Sequence, residues 1–118
     1  MVTREQLEAY RNSRDELRDL RARMRQAELR AMESERESDR ERARTAAQRY
    51  EALADEVERE MELIEAEIDN LELPEQRQVI RMRYIDGMRI RDIAYRVAYS
   101  GRQIQRIIDA AIAEMERE

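Results

Sequence analysis

Between Ser100 and Arg106 the chain reads Ser-Gly-Arg-Gln-Ile-Gln-Arg, bringing Arg102, Gln103, Gln105 and Arg106 together within two helical turns. These side chains match base edges in the DNA major groove, where Arg meets guanine O6 and N7 and Gln meets adenine N6 and N7. Other chemistry has little to work with. There is no His and no Cys, so no imidazole-dependent triad, Cys-based metal site or disulfide framework can be written. Carboxylates are abundant, but no pair is set apart by an apolar surrounding, and no Gly-rich phosphate loop is present. The expectation is a protein without enzymatic activity, metal or cofactor.

The charge distribution points the same way. The 118 residues carry a net charge of −5, with every basic side chain an Arg. Residues 1 to 71 hold 14 Arg against 20 acidic side chains, a balance of −6; residues 72 to 118 hold 9 against 8, or +1. Between Gln76 and Ile108, 8 Arg face only Asp86 and Asp92, a local balance of +6. A small basic patch flanked by acidic segments is the footprint of a surface that meets a polyanion. No run approaches 18 apolar residues and the first residues lack a signal-peptide core, so no membrane association is expected and the cytoplasm is the expected location.

The elements that must position this patch are helical: 43% of residues are charged, 4% are aromatic, and there are two Gly and one Pro. Thr3-x-x-Gln6 has the form of a capping box opening the first helix. Leu7, Tyr10, Leu17, Leu20, Met24, Ala27 and Ala31 then make a thin apolar stripe. Ala46, Tyr50, Leu53, Val57, Met61, Ile64, Ile68 and Leu71 make a fuller one at close to 3.6-residue spacing. Residues 33 to 45 between them are polar apart from Ala43, and serve either as a connection in a helical hairpin or as the solvated middle of one rod. The hairpin is favoured, because a stripe missing for nearly two heptads could not hold a rod's partner there. Residues 1 to 71 are thus read as a coiled-coil or hairpin arm, its stripe covered by the same chain or by a second copy in a dimer.

Pro74 closes the arm, since Pro is disfavoured inside a helix and accepted at its first position. Residues 72 to 118 divide into three helices. One runs from Pro74 to about Tyr84 and ends at the Asp86-Gly87 turn; a short one follows from about Ile90 to Val97. The last is opened by a second box, Ser100-x-x-Gln103, and buries Ile104, Ile107, Ile108, Ala111, Ile112 and Met115. Two short helices joined by a tight turn, the second bearing Arg and Gln near its start, form a helix-turn-helix. The expected fold is all-α, an N-terminal arm followed by a C-terminal three-helix domain.

The stretch from Leu73 to Glu116 resembles region 4 of sigma-70-type factors, and more closely the small phage-encoded regulators that carry such a module after a helical segment. The resemblance is carried by Leu73-Pro74, by Arg83, Tyr84 and Gly87, by Ile93-Ala94, and by the Ser-x-Arg-Gln-Ile start of the last helix. It implies that Ser100, Arg102, Gln103, Gln105 and Arg106 lie at or near double-stranded DNA, and that Arg89, Arg91 and Arg96 meet phosphates. Two positions depart from the pattern: Arg89 stands where a capping Ser or Thr is usual, and Ala98 where the turn often has Gly or Asn. A left-handed Ala98 would be strained by about 1–2 kcal/mol.

The leading expectation is a sequence-specific transcription regulator of phage or prophage type in a bacterial host cytoplasm, with residues 100–116 as recognition helix. Two other readings stand beside it. One is a small terminase-like subunit of a DNA-packaging machine. The other is an interaction protein whose region-4-like module binds RNA polymerase or another protein.

Overall fold

The computed structural model describes residues 1–117, and among them every regular element is a helix: α1 Arg4–Glu33, α2 Glu37–Asp69, α3 Pro74–Ile80, α4 Ile90–Val97 and α5 Gly101–Glu116. By contacts the chain forms two compact units. One is Asn12–Met61; the other joins Met1–Arg11 to the chain from Glu62 onward. Both long helices therefore run from one unit into the other.

In the Asn12–Met61 unit, α1 and α2 form an antiparallel hairpin. Arg21 Nη2 donates to Glu58 Oε2 at 2.5 Å, and Arg23 lies beside Tyr50, the order expected of chains running in opposite directions. The connection is only Ser34 to Arg36, shorter than the expected polar block of 33 to 45. Residues 37 to 45 are instead the first turns of α2, where Glu37 and Asp39 suit the positive end of the helix and Glu37 pairs with Arg40 and Arg44. The buried stripe also differs from the expected one. Leu53 is 43% exposed, while Ala43, Ala47 and Ala54 are buried. Ala43, Ala47, Tyr50, Ala54, Val57 and Met61 alternate steps of four and three, a seven-residue repeat that keeps one seam on a neighbouring helix, and Leu53 falls off it.

The second unit is built on larger side chains. Val2, Leu7, Ile64, Ile68, Val79, Ile80, Ile93, Ile104, Ile108 and Ile112 are all essentially inaccessible. The start of α1 belongs to this core because its box forms: Thr3 N donates to Gln6 Oε1 at 2.8 Å and Gln6 N to Thr3 Oγ1 at 3.2 Å. Val2 N then donates to Met115 O at 3.2 Å, and Tyr10 Oη donates to Glu65 Oε1 at 2.7 Å. In the connection after α2, Arg77 Nη1 donates to the carbonyls of Leu71 and Glu72 at 2.5 and 3.1 Å, tying α3 to it, and Arg81 pairs with Asp69.

Past Ile80 the helix widens into one π turn, Arg81–Ile85, with Asp86 N donating to Arg81 O at 2.9 Å. The wide turn swings both Met82 and Tyr84 inward, though only Arg83 separates them. Gly87 then ends it with φ +71°, and Arg83 Nη1 donates to Met88 O at 2.9 Å. The positive φ is what calls for glycine, since the Arg11 guanidinium lying over Gly87 is the end of a flexible, exposed side chain that can move aside.

Candidate nucleic-acid interface

Three residues, Ala98 to Ser100, separate α4 from α5. Ala98 adopts φ 59° and ψ 40°, the left-handed conformation, which costs about 1–2 kcal/mol for a residue with a Cβ. The reversal is followed by a full capping box: Gln103 N donates to Ser100 Oγ at 3.1 Å and Ser100 N to Gln103 Oε1 at 2.8 Å. Ser100 and Gln103 are exposed, but their oxygens already hold the helix start. What they can offer a ligand is the Ser100 hydroxyl hydrogen and the Gln103 amide hydrogens.

Arg102 and Arg106 lie one turn apart on the exposed side of α5, opposite Ile104, Ile108, Ala111 and Ile112, and neither has an ion-pair partner among the described residues. Gln105 is half-buried beside them; its Nε2 donates to Asp109 Oδ1 at 3.0 Å. Asp109 Oδ1 also receives Arg4 Nη2 at 3.1 Å, and that contact raises the Arg4 pKa further above its ordinary value.

On α4, Arg91 and Arg96 are exposed, while Ile93 and Ala94 face the core. Arg89 occupies the N-cap position without a side-chain cap bond; its Nε donates instead to Asp92 Oδ2 at 3.1 Å. The departure noted in the sequence is therefore real: α4 begins uncapped, and one of the expected phosphate-binding arginines is already paired. Val97, expected in the core, is only half-buried.

Sequence reasoning missed three participants. Tyr95, at 91% exposure, stands on α4 between Arg91 and Arg96, where its alternation with arginines was the available signal. Arg4 and Asp109 are 105 residues apart, and nothing along the chain links them. Among the described residues no helix is long and apolar enough to cross a membrane, and no cluster of acidic side chains could hold a metal ion.

An all-helical chain that presents a capped, arginine-bearing helix after a three-residue turn is the class these observations define. The chain belongs to the family described as "Protein of unknown function (DUF1492)", whose model matches residues 41–116. The match begins inside α2, so it takes in that helix as well as α3, α4 and α5. No curated protein and no solved structure matches the chain.

Proposed function

We propose that the chain is a sequence-specific DNA-binding regulator of phage or prophage type, in which α4 and α5 act as a helix-turn-helix similar to sigma region 4. The carrying observation is the pair Arg102 and Arg106, exposed, free of acidic partners and one turn apart near the start of a helix that follows a tight turn. Arg91 and Arg96 on the preceding helix suit phosphate oxygens, which fix a protein's register on the duplex without reading sequence. In the hairpin, Leu29, Met32 and Leu53 stay exposed, and this apolar surface supports a role for the arm in pairing with a second copy or a partner protein.

The test is selection from random duplex DNA with the purified chain at two salt concentrations, beside Arg102→Ala/Arg106→Ala. An enriched motif that the variant loses, with at least about a tenfold drop in affinity, is expected. Two copies of the motif about 34 Å apart, or a multiple of it, would identify a dimer. Motif-free binding with a steep salt slope, unchanged in the variant, would overturn the reading, since it reports phosphate attraction alone.

A further inference from the structure

Asp109 is out of place on a surface that meets phosphates. It sits on α5 one turn past Gln105 and Arg106, with a side chain 55% exposed, where an uncompensated carboxylate would repel a polyanion. It is not left uncompensated. Arg4, from the first turn of α1, reaches Oδ1 at 3.1 Å, and Gln105 Nε2 reaches the same oxygen at 3.0 Å. A carboxylate only accepts hydrogen bonds, so it fixes which end of the Gln105 amide faces it. The NH2 group points to Asp109, and Oε1 with the second amide hydrogen is left for a ligand. Adenine asks for that combination, an acceptor for N6–H and a donor for N7.

The pair is not there to hold the fold. At 42% and 55% exposure its contribution to stability is small, and the start of α1 is anchored independently by Val2 N on Met115 O and by buried Leu7. We infer that Arg4 and Asp109 are positioning residues: they set the Gln105 amide to read one adenine in the DNA target, and Arg4 cancels the carboxylate's charge toward the phosphates. This inference rests on the DNA-binding reading above. It makes the first turn of α1 part of the device that sets sequence preference, although it need not touch the duplex.

The experiment uses the full chain and the motif selected by the wild type, comparing binding to that motif with binding to variants of each base pair and to random duplex. Gln105→Ala should lose about tenfold or more of the preference for adenine at one position. Asp109→Ala and Arg4→Ala should each lose roughly threefold to tenfold at that same position, with Arg4→Lys near wild type. Affinity of Asp109→Ala for random duplex should be unchanged or higher, and thermal midpoints should stay within about 2 °C. Adding Asp109→Ala to Gln105→Ala should have no further effect on the preference, because the carboxylate acts through that amide. Base preferences intact in Asp109→Ala and Arg4→Ala would overturn the inference, as would an indifferent Gln105→Ala. A wild-type chain that enriches no motif would instead bring down the DNA-binding reading itself, a result visible before any relay variant is made.

Discussion

The two compact units solve the packing of helices differently. The hairpin of residues 12–61 closes on small side chains, with Ala27, Ala43, Ala47 and Ala54 among its buried residues, and leaves Met32 81% exposed. The unit made of residues 1–11 and the chain from Glu62 closes on Ile, Leu and Val, and among the described residues every large, fully buried side chain lies there. Since burying a large aliphatic side chain contributes about 1.5–3 kcal/mol and a methyl group far less, stability is concentrated where α5 is held. The DNA-reading role proposed for Arg102 and Arg106 would gain from a stiff support. The hairpin carries no comparable burden.

The largest effect should come from a side chain on α2 that belongs to the stiffer unit. Ile68→Ala is expected to cost about 2–5 kcal/mol in denaturant unfolding, whereas Ala54→Gly, on the same helix but in the hairpin, should cost about 1 kcal/mol. Equal losses would erase the distinction between the units. Hydrogen exchange sharpens it further: amides around Ile64 to Ile68 should exchange at least about tenfold more slowly than those around Ala43 to Ala54. Uniform protection along α2 would mean that the units open together. At the α4–α5 turn, Ala98→Gly should raise stability by about 0.5–1 kcal/mol, because relief of the left-handed strain exceeds the added freedom of the unfolded chain. A drop in the melting midpoint would refute that balance.

The smallest effect is one of pH. Burial is the main cause that raises the Tyr84 phenol above its ordinary value of 10.0, partly opposed by Arg4 and Arg83. A raised folded-state value means that the unfolded chain loses its proton first. The contribution of Tyr84 is therefore complete below pH 10 and is lost as pH climbs through the folded-state value. Tyr84→Phe should show a shallower decline in stability above pH 10 than the wild type. Identical curves would mean that the phenol is not what couples this core to alkali.

Much of the second unit was readable because its signals are local. The boxes at Thr3 and Ser100, Pro74, the Asp86-Gly87 turn and the spacing of Ile104, Ile108 and Ile112 each declare themselves within a few residues. The hairpin's seam was harder to read, because alanines make weak hydrophobic signals and Leu53 is the larger residue, although it lies off the seven-residue repeat. A clue lay in the charges. Arg14, Arg18, Arg21 and Arg25 share one stripe of α1, and Glu51, Asp55 and Glu58 share one of α2. A parallel pair of identical rods would set the arginines against each other, while a hairpin lets Arg21 meet Glu58. At the candidate interface, the arginines could be found by type and spacing. Arg4's contact with Asp109 could not, because only the fold brings those two residues together.

The hydrogen bond from Val2 to Met115 has a consequence for biosynthesis. A ribosome adds about 5–20 residues per second, and Arg4 is made 105 residues ahead of Asp109, as Val2 is made well ahead of Met115. Closing these contacts spans a loop of that order, an entropic cost that grows slowly with loop length. The start of α1 therefore finds this partner only after α5 has been made, and a chain cut before α5 would leave the Val2 amide without the Met115 carbonyl.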